Sequence, residues 1–231
     1  MNTHSRLTKE NKKMIIDSVP FVEDKEEKYE SCQGPPITMM ALKFFLPNIN
    51  INFNELYKKI RYKKGNWFFE TYIVSLFKEF NIPAIYLSTK KLKKCKDKSC
   101  FKQISGLDFN NKEDTEEFNL EHYNSAIDFV KKHGLFRQMK EISLDFIKEQ
   151  LSNLKLVIAT VNRNKLQNKE GYKGHFILVK GFTDNSFICN DALLGEEISI
   201  SFDTFMDSFY YINWEKPNDK TEYIRDIVVV G

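Results

Sequence analysis

The stretch Gly174-His175-Phe176-Ile177-Leu178-Val179-Lys180-Gly181-Phe182 is an apolar, β-branched and aromatic run that opens on a glycine and a histidine. Thr183-Asp184-Asn185 follows with turn chemistry, and Ser186-Phe187-Ile188-Cys189-Asn190 returns as a second strand. Two such runs around a short polar turn predict an antiparallel hairpin. In a hairpin the start of one strand neighbours the end of the other. His175 at the mouth of the first strand and Asp191 at the close of the second are therefore expected together. A carboxylate there can accept from an imidazole nitrogen and fix its tautomer. Cys189, two residues before Asp191, shares its face by strand alternation and reads as a small core side chain beside the pair.

Working outward, Leu154–Val161 has the pattern of a buried strand, as do Glu197–Ser201 and Ile227–Val230, with a helix expected over Phe202–Phe209. The first half of the chain is mostly helical in pattern. Apolar residues at spacings of three and four predict a helix from about Pro35 or Pro36 to Phe45, stopped at Pro47 and Asn48. Proline is tolerated in a first turn, where its missing N–H has no partner to lose. Further helices are expected at Asn54–Ile60, Phe68–Phe80, Leu120–His133 (ended by Gly134) and Leu144–Leu151 (capped by Ser143), with strands at Pro83–Leu87 and, on an edge, Ser18–Val22. Helices first and antiparallel strands after them argue for an α+β fold, a helical layer packed on a sheet.

With 231 residues, the chain fits one domain that needs no disulfide or metal to hold it. An N-terminal arm is expected over residues 1–17 and a single domain over 18–231, with a polar excursion at about 88–119. The 20 phenylalanines and 10 tyrosines point to a core rich in aromatics. A net charge of +3 is too nearly balanced to imply nucleic acid, and the basic run Lys90–Lys98 has no interleaved aromatics for stacking on bases. There is no apolar signal region and no run long enough to span a membrane, so a cytoplasmic protein without a membrane span is expected. Four cysteines, Cys32, Cys95, Cys100 and Cys189, are few for a disulfide scaffold. Cys95 and Cys100 read as free thiols on a loop, since no Cys/His pair follows at a zinc-like spacing. Trp67 reads as a packing anchor or as a wall of a substrate cleft.

Cys32 sits immediately ahead of the Pro35–Phe45 helix. A helix start carries positive partial charge and free N–H groups, and both favour a thiolate and an oxyanion. A buried structural cysteine would look similar, so the placement alone does not decide. Of the four histidines, His4 lies in the arm, while His122 and His133 lie on a polar helical stretch. His175, with Asp191 beside it, is the candidate base, and a Cys32–His175–Asp191 triad is the chemistry these residues support.

Val19-Pro20-Phe21 followed by Cys32-Gln33-Gly34-Pro35-Pro36-Ile37-Thr38-Met39-Met40-Ala41-Leu42-Lys43 resembles the nucleophile region of the bacteriocin-leader-processing cysteine peptidases, cysteine peptidase family 39. Gly171–Phe182 resembles their histidine strand, Asn190-Asp191-Ala192 their aspartate, and Gly65-Asn66-Trp67 with the helix after it their middle element. The resemblance spans roughly residues 18–212 and implies a papain-like fold. It also implies hydrolysis of a peptide or isopeptide bond through a thioester, on a peptide or protein substrate, with no cofactor. Two departures stand out. Gln33 separates the cysteine from Gly-Pro, and no glutamine precedes Cys32 between Val19 and the thiol to supply an oxyanion-hole amide. Gln33 is the candidate substitute. The alternatives are a silent peptide-binding module on the same fold and a thiol-dependent acyl or amide transferase.

Overall fold

The computed structural model describes residues 13–23, 34–59, 69–97, 99–100, 120–210 and 223–231. Within them the chain folds as eight strands and seven helices. The strands are β1 (Met14–Ile15), β2 (Ala84–Ser88), β3 (Phe136–Gln138), β4 (Leu156–Asn162), β5 (Gly174–Phe182), β6 (Ser186–Asp191), β7 (Gly195–Ser201) and β8 (Asp226–Val230). The helices are α1 (Gly34–Phe45), α2 (Phe53–Lys59), α3 (Glu70–Glu79), α4 (Leu120–Lys132), α5 (Leu144–Ser152), α6 (Arg163–Leu166) and α7 (Phe202–Ser208). All the strands join one sheet in the order β3-β2-β8-β4-β5-β6-β7, with β1 on the far end of β5.

The α+β class follows from the sequence pattern, with two corrections. The sheet is not wholly antiparallel, because β3 pairs parallel to β2. A parallel pair needs a crossover, and α4, lying between β2 and β3 in the chain, supplies it. The edge strand expected at Ser18–Val22 is absent. Residues 19–23 are irregular, and the N-terminal strand is Met14–Ile15 instead. Part of the expected arm thus belongs to the sheet, with Met14 and Ile16 buried. Gly181 makes this possible, since a Cβ there would collide with the Met14 carbonyl oxygen. The arm before residue 13 and most of the polar excursion lie outside the described residues.

β4 carries the core: all seven of its residues are buried, because it has β8 on one side and β5 on the other. α1 buries every residue from Gly34 to Leu42 and packs on β5, α2 and α3. The phenylalanines gather where β6 meets α7. The Phe187 ring lies 4.7 Å from Phe205 and 5.0 Å from Phe202, edge to face in both cases. Such pairs add to the area the rings bury. Ser143 caps α5 as expected, its hydroxyl accepting from the Phe146 N–H at 3.2 Å.

Candidate active site

Val161 stands opposite His175 and Asn162 opposite Gly174, so β4 fixes where β5 begins. Leu178 is opposite Asn190, and a one-residue register shift lies between Val179 and Gly181. That shift places Lys180 as an extra residue, its Nζ held 2.6 Å from Glu197 Oε1. Continuing the pairing past Leu178 and Asn190 sets Asp191 across from Ile177, one pair in from His175 on the same face. The two side chains therefore meet along the diagonal, which is within reach of residues this long.

His175 Nε2 and Asp191 Oδ2 lie 2.7 Å apart, with both side chains almost wholly buried. The other carboxylate oxygen, Oδ1, accepts the backbone N–H of Leu193 at 2.9 Å and of Leu194 at 3.1 Å. Burial pushes the Asp191 carboxyl upward. The bond and charge of His175 and the two amides outweigh it, and hold the group below the usual carboxylate range. Asp191 is then ionised at neutral pH and can only accept. Since the carboxylate can only accept, the proton between the two groups belongs to His175 Nε2, which leaves Nδ1 as the ring nitrogen that Asp191 does not engage.

α1 begins at Gly34, so Cys32 precedes its first residue by two. Cys32, Gln33 and Trp67 lie outside the described residues. The start of α1 adds one fact that bears on them. Of its first four residues, Pro35 and Pro36 have no N–H, so this helix offers Gly34 and Ile37 where an ordinary helix offers four donors. A helix-start oxyanion site is correspondingly poorer than the position alone implied.

The remaining cysteines are set apart by burial. Cys189 is fully buried opposite Val179, and its thiol is pushed well above the ordinary value by burial and then by the Asp191 charge. Cys95 is a free thiol on an irregular segment, as expected, but it is not exposed. It is buried with Tyr123 and Ile127 in a small second core. Its N–H donates to Asn124 Oδ1 at 2.9 Å, and Asn124 Nδ2 donates to its carbonyl at 2.7 Å, so the asparagine stands in for a strand neighbour. Burial, followed by the neighbouring Cys100, raises the Cys95 thiol to about 12. Among the described residues no three His, Cys, Asp or Glu side chains cluster as metal ligands would. Nor is any helix among them long and apolar enough to cross a membrane.

A buried acidic pair lies close by and was missed in the sequence. Asp226 faces Ser88 across β2–β8, and Glu70 at the start of α3 accepts from the Thr160 hydroxyl. Thr160 is next to Val161 in β4, and alternation turns it to the face opposite His175. Burial and then the charge of Glu70 raise Asp226 to about 8, and burial raises Glu70 as well.

No protein family matches the sequence. No curated protein matches it either. Among solved structures, the chain is similar to one described as a "putative C39-like peptidase" from Bacillus anthracis. The TM-score is 0.49 at 11% sequence identity, over 95% of this chain and 97% of that one. A likeness of that degree says nothing about chemistry, which has to be argued from the residues.

Proposed function

We propose that this protein is a cysteine hydrolase of the papain-like kind, acting on an amide bond of a peptide or protein. The observation that carries the reading is the buried His175–Asp191 pair, which engages Nε2 and leaves Nδ1 as the ring nitrogen that can take a proton from a thiol. Cys32, two residues before α1, is the nucleophile in this proposal. Its thiol proton passes to His175 Nδ1, and the thiolate attacks the acyl carbon. The imidazolium formed is stabilised through Nε2–H by the Asp191 carboxylate. The same proton then goes to the leaving amine, and water hydrolyses the resulting thioester with His175 as base.

The oxyanion needs donors. With Pro35 and Pro36 removing two of the helix's N–H groups, the Cys32 N–H and the Gln33 side-chain amide are assigned that role. The test is incubation with a mixture of reporter peptides, followed by mass spectrometry. Cleavage is expected from the parent and is expected to vanish in Cys32→Ala and His175→Ala. Peptide binding by Cys32→Ala with no cleavage by the parent would make the protein a binding module instead.

A further inference from the structure

We propose that Asn162 is a positioning residue for His175, an inference that rests on His175 being the base. Asn162 is the last residue of β4 and is fully buried. It lies across from Gly174, the residue before His175. Between them the chain leaves the sheet through α6 and returns at Lys173, so beyond the β4–β5 ladder something must hold the connection that delivers β5 to its start.

The Asn162 side chain does so. Its Nδ2 donates to the Gly171 carbonyl at 3.0 Å and to the Tyr210 hydroxyl at 2.8 Å. Its Oδ1 accepts the N–H of Asn164 at 3.1 Å and of Lys173 at 3.0 Å. Two donated and two accepted bonds are the full capacity of an amide side chain. They tie the outgoing turn, the incoming turn and the segment after α7 to one point. A backbone bond from the Arg163 N–H to the Lys173 carbonyl, 2.8 Å, closes the base of the connection. Gly171 sits at φ +83 to make the return.

No other side chain reproduces the set. Aspartate has no donor for Gly171, glutamine is one carbon too long, and alanine offers nothing. Because Asn162 is shielded from water, a lost partner is not replaced by solvent. The clamp fixes the backbone two residues ahead of His175, while Asp191 fixes the far side of the ring. The two together leave Nδ1 one direction in which to point. A proton transfer between thiol and imidazole depends on that direction to within tenths of an ångström.

The experiment is the pH dependence of Cys32 alkylation by iodoacetamide, mapped by mass spectrometry, with melting temperature measured in parallel. The parent is expected to show reactivity persisting well below the pH at which a free thiol ionises, about 8.5. Asn162→Ala is expected to raise the half-point by at least about one pH unit, about ten-fold less labelling on the acid side. Asn162→Asp keeps both acceptor bonds and is expected to fall between the two. Tyr210→Phe loses one partner and moves the half-point less, in the same direction, which serves if Asn162→Ala does not fold. A core variant on α4, whose main packing is on α3, is the control: Val130→Ala lowers the melting temperature and leaves the profile in place. Asn162→Ala and Asn162→Asp melting earlier with the parent's pH profile would overturn the inference and make Asn162 a loop anchor only. A parent profile like a free thiol's, unchanged by His175→Ala, would instead overturn the reading of His175 as base, and this inference with it.

Discussion

Asp191 offers a perturbation whose size can be worked out without any appeal to catalysis. Its carboxylate makes three bonds: one to His175 Nε2 and two to the Leu193 and Leu194 amides. Asp191→Ala removes all three inside a fully buried site. A charge-assisted bond is worth roughly 1.5–3 kcal/mol and each further bond roughly 1, so the loss is about 3–5 kcal/mol. Asp191→Asn keeps an oxygen for the two amides and loses the charge on the ring side, a cost of about 1.5–3 kcal/mol. The gap between the variants, about 2 kcal/mol, is the contribution of the two amides. Urea unfolding at pH 7, followed by circular dichroism, measures it directly. The Asp191 carboxyl is held below its ordinary 3.8, so its stabilisation is present above that value and is lost as pH falls through the native one. The deficit of Asp191→Asn against the parent is therefore expected to shrink at acid pH. An alanine variant within about 1 kcal/mol of the parent, or one no worse than asparagine, would refute the bonding described.

Three further outcomes follow from the same structure. Asp226 has a native pKa of about 8 against an ordinary 3.8, so folding takes up a proton and stability declines as pH rises between about 4 and 8. Asp226→Asn is expected to flatten that decline in melts taken across the range, and a parent curve flat from pH 5 to 9 would contradict it. Cys95 and Cys189, buried with raised thiol pKa values, are expected to stay unlabelled by iodoacetamide in the native protein and to label on unfolding. Native labelling of either refutes its burial. Gly181→Ala meets the Met14 backbone and is expected to cost about 1–3 kcal/mol in urea unfolding by displacing β1, whereas a neutral substitution would mean that β1 is not seated there.

The sequence made the site-bearing hairpin legible because strand, turn and return strand are contiguous. Period and turn chemistry specify such a unit locally, and His175 and Asp191 fall at its open end. The helices were legible for a similar reason, since α1 and α4 carry stop signals at Pro47 and Gly134 and α5 a cap at Ser143. What was not legible depends on partners far along the chain. Asn162 looks like an ordinary strand-end residue until Tyr210, 48 residues on, comes to its side chain. Glu70 and Asp226 are two polar positions with no local sign that the fold buries them together. Cys95 sits in a lysine-rich stretch that reads as solvated, and only its partners on α4, Tyr123, Asn124 and Ile127, explain its burial. β3 is three residues long, too short to carry a pattern, and β1 owes its place to a missing Cβ at Gly181. The extra residue at Lys180 shifts the hairpin's register so that Asp191 falls across from Ile177, on His175's face; without it Asp191 would fall across from Leu178, on the other face.

The most direct test of the central claim is the labelling of Cys32 by iodoacetamide at pH 6.5, compared between the parent and His175→Ala. If His175 Nδ1 is the base for Cys32, the parent labels there ahead of the partly exposed Cys100, and His175→Ala slows Cys32 by about ten-fold or more while leaving Cys100 unchanged. Cys32 labelling no faster than Cys100, at a rate indifferent to His175, would contradict the account.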